Sequence, residues 1–167
     1  MAKLFPINIK QFVDLTVACE KVPVTYSLGA KADLHAKVGS FHHIDCSGFV
    51  RWAIFQATGG ITDIGDGSYN QMQKLKGLGV EQCSYHDAVT QANPKKLFLA
   101  VMTPETGGGV GHVWAFTACG APKGKSLTCE SHGGKGVDRR SPMCSIEGGE
   151  YTLETASAAC FLIAVEA

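Results

Sequence analysis

At 167 residues, with 45% hydrophobic and 18% charged residues, the chain is long enough to bury one sizeable core and too apolar to be disordered. Lys plus Arg balances Asp plus Glu at 15 each, so no global field draws it to nucleic acid or an anionic surface. No stretch approaches the roughly 18 consecutive apolar residues of a membrane span, so membrane insertion is not expected either. Residues 1–167 are therefore expected to form a single domain whose recognition is local and steric.

In chain order, residues 8–20 place Ile9, Phe12, Val13, Leu15 and Val17 near helical spacing, and Pro23 forbids much continuation. A short extended piece over 24–31 breaks at Gly29, and 32–43 is an irregular polar run. Asp45 then opens an apolar helix that Gly59 and Gly60 end near Thr58. Residues 62–67 form turns, after which Ser68 is expected to cap a short helix through Lys76, with Met72 and Leu75 inward and Gly77 closing it. The polar run 81–94 reads as loop with one helical turn near Ala88. Strands are expected at 97–102, 111–117, 126–131 and 160–165, with a loop at 104–109. Helices first and strands afterwards imply an α+β domain, an antiparallel sheet with helices packed on one side.

The chemistry concentrates at Ile44-Asp45-Cys46-Ser47-Gly48-Phe49-Val50, where an N-cap, a nucleophile and a helix follow one another without a gap. A thiol in the first helical turn faces the positive end of the helix dipole and unpaired N–H groups, a setting that favours thiolate. Such a nucleophile needs a base, and the base needs a third group to hold it. His112 is the candidate base, since it follows the glycine-rich stretch 107–111 and opens a strand. The third member should come from the neighbouring strand, where Glu130, Cys129 and His132 all lie within reach; a carboxylate is the natural choice, and His132 could instead line the cleft. The adjacent pair His42 and His43 reads as solvated, and Arg139 with Arg140 as a surface basic pair.

Seven cysteines leave at least one thiol unpaired, and with no CxxC and no Cys/His run at zinc spacing neither a metal nor a cofactor is expected. Cys119, Cys129, Cys144 and Cys160 gather in the second half, where a disulfide could form in an oxidising space. The start of the chain lacks an apolar export core, so work outside the cytoplasm would require delivery by other means.

Together these motifs resemble the NlpC/p60 family of cysteine peptidases and amidases that cut bacterial cell-wall peptides. Asp45 to Val50 resembles the nucleophile block, Gly111-His112-Val113 the histidine strand, and 130–137 the third-residue strand, where many members carry a histidine and this chain carries Glu130. Tyr26, in Tyr-Ser-Leu-Gly, resembles the upstream tyrosine of the active-site wall. The resemblance implies a papain-like α+β fold with the cysteine helix on a central antiparallel sheet. It implies cleavage of a peptidoglycan stem amide, commonly D-glutamyl to diamino acid, by a Cys46 and His112 thiol mechanism without metal. Asp45 and Ser47 would bind the amino-terminal side of the substrate, and Tyr26 would be a second oxyanion donor. The bare domain is also similar to type VI secretion amidase effectors and to phage hydrolases. That similarity implies action in the periplasm or at the wall after delivery by a secretion system or phage, with an immunity protein as a possible partner. An acyltransferase or amidase on another substrate, or a non-catalytic wall-peptide binder, are the alternative classes.

Overall fold

The computed structural model describes residues 3–103, 111–142 and 158–167. Its elements are α1 (Ile9–Lys21), α2 (Cys46–Ala57), α3 (Ser68–Gly77), β1 (Gln82–Cys83), α4 (Tyr85–Gln91), β2 (Lys96–Met102), β3 (His112–Thr117), β4 (Leu127–His132), β5 (Gly136–Asp138) and β6 (Ala159–Val165). The strands form one antiparallel sheet in the order β1-β6-β2-β3-β4-β5. This is a mixed α+β fold with helices packed against a multi-stranded antiparallel sheet.

Period-two alternation sorts the strand residues between two cores. Leu97, Leu99 and Val101 of β2, Val113 and Ala115 of β3, and Phe161 and Ile163 of β6 join the apolar faces of α1, α2 and α3. Phe98, Ala100, Met102, Trp114, Phe116 and Cys160 face the other way, onto Tyr85 and Ala88 of α4. A strand buried on both faces reads as an unbroken apolar run, as Leu97-Phe98-Leu99-Ala100-Val101 does. In the second core Phe98 and Phe116, which are register partners, stack at 5.4 Å, and Trp114 donates its indole N–H to the Tyr85 hydroxyl at 3.3 Å. Each fully buried aromatic is worth about 1.5–3 kcal/mol over leaving it in water.

Three elements differ from the sequence reading. The run 81–94 holds the expected helical turn near Ala88 but is more ordered than loop elsewhere: Ser84 caps α4 by accepting from Asp87 N–H, and Gln82 and Cys83 pair with β6 as an edge strand. Tyr85 and Ala88, spaced i,i+3, bury one stripe of that short helix, so a helix covers the second face of the sheet as well as the first. Ser68 does not cap α3; Gly67 occupies the N-cap with no side-chain bond, and Gln71 and Leu75 are the buried residues while Met72 is half-buried. Finally β5, three residues long, follows β4 through a tight hairpin. The expected loop at 104–109 and Cys144 lie outside the described residues.

Candidate functional site

Cys46 is the first residue of α2, and its position is set locally. Asp45 is extended, with its carboxylate accepting from Gly48 N–H at 2.7 Å, so it caps the helix it precedes. Gly48 is needed there, because a Cβ would fall 2.8 Å from the Asp45 carboxylate and 3.2 Å from the Ala30 carbonyl. The same carboxylate takes Lys31 Nζ at 2.7 Å and Gly29 N–H at 3.2 Å; Lys31 also meets Ser47 Oγ at 2.9 Å and Asp66 at 2.8 Å. Burial pulls the Lys31 pKa down, but Asp45 and Asp66 outweigh it and leave it raised. Asp45 and Ser47, expected to face substrate, are thus both tied to Lys31, which sits in an irregular stretch with no motif to mark it.

The segment leading into Cys46 is gripped from two sides. Val24 and Thr25 are clamped between β5 and the residues ahead of the nucleophile: Val137 N–H bonds Val24 carbonyl at 2.9 Å, and Ile44 N–H bonds Thr25 carbonyl at 3.0 Å. Gly136 makes that approach possible, with φ +106 and a position where a Cβ would sit 2.2 Å from the Val24 carbonyl oxygen. Ser131 Oγ of β4 donates to the Ile44 carbonyl at 2.7 Å. Tyr26 follows directly from the clamp and lies near the nucleophile: burial first, then the charges of Cys46 and Asp45, raise its phenol pKa.

The opposing wall comes from β3 and β4. His112 opens β3, and its ring stacks on Trp114 two residues on, 5.3 Å between centroids. Its Nε2 meets the Glu130 carboxylate at 3.0 Å, and Cys46 lies near enough to influence the charge of the ring. Burial alone would depress the imidazole pKa, yet the hydrogen bonds and charges of Cys46 and Glu130 overcome it and push it up to about 9. Glu130 is fully buried and receives two bonds from Arg140, Nε to Oε2 at 3.1 Å and Nη2 to Oε1 at 3.0 Å. Burial favours its neutral form, but His112 and Arg140 outweigh that and hold its pKa at about 2. The result is a hydrogen-bonded chain from His112 to Glu130 to Arg140, with Cys46 influencing the charge of its imidazole end.

The other candidates for the third position point elsewhere. Cys129, one residue away on β4, is buried in the core shared with α1 and α2, and burial drives its pKa up to about 12. His132 is committed within the β4–β5 hairpin: Gly134 N–H donates to its Nδ1 at 3.2 Å, which leaves the proton on Nε2, facing Asp138 at 3.0 Å. Arg140, read from the sequence as surface, is half-buried against Glu130, while Arg139 pairs with Glu20 at 3.0 Å. Register explains why sequence reading missed Arg140: Thr128 and Arg140 exchange backbone and side-chain bonds, which returns the chain alongside β4. His43 bonds Thr25 Oγ1 at 2.7 Å and stays exposed, as does His42.

Among the described residues no group of three or more His, Cys, Asp or Glu side chains could hold a metal ion, and no helix is long and apolar enough to cross a membrane. No protein-family model matches the chain, and neither does any curated protein.

Proposed function

We propose that the chain is a papain-like cysteine amidase of the NlpC/p60 type, cleaving an amide bond of the peptidoglycan stem peptide. The single observation that carries this reading is an imidazole held at Nε2 by a buried carboxylate and electrostatically coupled to a cysteine at the start of a helix. That order of nucleophile, base and orienting anion is what thiol acyl transfer requires, whatever the sequence order of its members.

In the proposed course the Cys46 thiolate attacks the carbonyl carbon and the electron pair moves onto oxygen. The Cys46 backbone N–H, in the first helical turn where no intrahelical acceptor exists, and the Tyr26 hydroxyl hold that oxyanion. Collapse breaks the carbon–nitrogen bond, and the leaving amine takes its proton from the His112 imidazolium. His112 then accepts a proton from water, which attacks the thioester and releases the carboxylate and the Cys46 thiol. Glu130 receives the Nε2–H throughout and stabilises the imidazolium, while Arg140 keeps Glu130 anionic and fixed. In the thiolate–imidazolium state the four groups alternate in sign, so their buried charges compensate one another.

The natural substrate class is a stem peptide cut between D-glutamate and the diamino acid, in the periplasm or at the wall after delivery by a secretion system or phage. Digestion of purified sacculi with wild type and Cys46→Ala, followed by mass spectrometry of the fragments, tests this. New amino termini at the diamino acid, made by wild type alone, are expected. Glycan-chain scission, or equal products from both proteins, would overturn the reading. Rapid alkylation of Cys46 by iodoacetamide at about pH 6 is expected of a nucleophile and not of an idle wall-peptide binder.

A further inference from the structure

The sheet carries a pair of thiols on β1 and β6, at the end of the strand order away from β4 and β5. Cys83 of β1 and Cys160 of β6 are direct register partners on adjacent antiparallel strands. Leu162 N–H bonds the Glu81 carbonyl at 3.0 Å, and stepping two residues along both strands makes Cys83 and Cys160 a pair of the same hydrogen-bonded kind. Such partners have Cα atoms about 5.5 Å apart, inside the range of about 4.4–6.8 Å that a disulfide spans. Each thiol is also the strongest influence on the other's protonation. Both cysteines are unbridged.

The pair is also asymmetric. Cys160 is fully buried beneath Phe98, Trp114 and Tyr85, whereas Cys83 is half-buried on the edge strand, just ahead of the Ser84 cap of α4. The neighbouring Cys160 thiol is the largest influence on Cys83 and lowers its pKa, while the same neighbour and burial raise that of Cys160. A reachable thiol backed by a hidden one is the arrangement of an attacking and a resolving cysteine.

We propose that Cys83 and Cys160 are a redox site that closes to a disulfide with a small disulfide oxidant such as glutathione disulfide. The Cys83 thiolate attacks one sulfur of the oxidant, releasing one glutathione and forming a mixed disulfide. The Cys160 sulfur then attacks the Cys83 sulfur and displaces the second glutathione. Two protein thiols become one disulfide, the oxidant gains the two electrons, and the two glutathione molecules leave with both protons. The bond closes a loop that holds His112 and Glu130 but not Cys46, and it staples the edge strand β1 to its neighbour β6.

The test uses the full chain carrying Cys46→Ala, so that the nucleophile cannot react with the oxidant. After glutathione disulfide at about pH 8, intact mass should fall by two hydrogen atoms and a proteolytic fragment should join Cys83 to Cys160. The melting temperature should rise by roughly 5–10 °C and return on dithiothreitol. Adding Cys83→Ser should remove the mass change and the shift together, while Cys119→Ser should leave both. A persistent glutathione adduct at Cys83, a link from Cys83 to another cysteine, or two thiols still open to alkylation would overturn the proposal. A cross-linked protein that melts no higher would overturn its stapling role.

Discussion

The two walls of the candidate site are built on opposite principles. The Cys46 wall is local and ionic: Asp45 caps the helix it starts, and Lys31, about one third exposed, joins Asp45, Ser47 and Asp66 at the cleft. The His112 wall is non-local and dry, with Glu130 fully buried between an imidazole and a guanidinium that come from different segments. Charges near water are screened and individually weak, whereas buried charges depend wholly on their partners. The two walls should therefore fail differently when a partner is removed.

The largest effect is expected from Glu130→Ala, which leaves half-buried Arg140 without its carboxylate and His112 without its anchor. Denaturant unfolding should show a loss of about 3–5 kcal/mol, and turnover of the proposed substrate should fall at least a hundredfold. Glu130→Gln, which keeps the shape and one hydrogen-bond acceptor, should recover much of the stability and little of the turnover. Equal losses in both variants would mean that the charge of Glu130 contributes nothing beyond its packing.

Next is the response to pH, which the dry wall alone should dominate. Glu130, lowered from 4.5 to about 2, contributes in full above pH 4.5, and that contribution is lost as pH falls toward 2. His112, raised from 6.5 to about 9, contributes in full below pH 6.5, and that contribution is lost as pH rises through 9. These are one interaction seen from its two members, so they bound a single plateau instead of adding. Thermal melts across pH should be flat between about 4.5 and 6.5 and fall on either side, and turnover should decline on the alkaline side as the imidazolium is lost. Cys46→Ala should shorten the alkaline arm, because it removes one of the partners that raise His112.

The ionic wall should yield less. Asp45→Ala removes a helix cap and should lower stability by about 1–2 kcal/mol in denaturant titration. Lys31→Met should change stability by less than about 1 kcal/mol, and that difference should shrink in high salt. A Lys31 effect as large as that of Glu130 would erase the distinction between the two walls.

The same contrast decides what could be read from the chain beforehand. Asp45 as cap, Cys46 as first helical residue and the end of α2 at Thr58 before Gly59 all follow from neighbours within a few positions. The strand carrying Leu97 to Met102 and the opening of β3 at His112 were equally plain, because alternation and apolar runs are local signals. The short α4 was hidden because Tyr85 and Ala88 are its only buried residues among polar neighbours, too few to show a period. Arg140 was hidden for a different reason. Its partner lies ten residues back on β4, and only the return of the chain beside Thr128 makes a basic pair into a half-buried support. Lys31 likewise reaches Asp45 across an irregular stretch with no repeating pattern.

Adjacent residues of β4 hold the two walls together. Glu130 steadies the imidazole on one side of the sheet, and Ser131, pointing the other way, grips the Ile44 carbonyl two positions ahead of the nucleophile. A strand shifted by a single residue would exchange those roles and release both grips at once. The chain should therefore accept added or deleted residues in the turn between β3 and β4, where length is absorbed outside the ladder, and reject them inside β4, which works as the alignment rail between acid and sulfur.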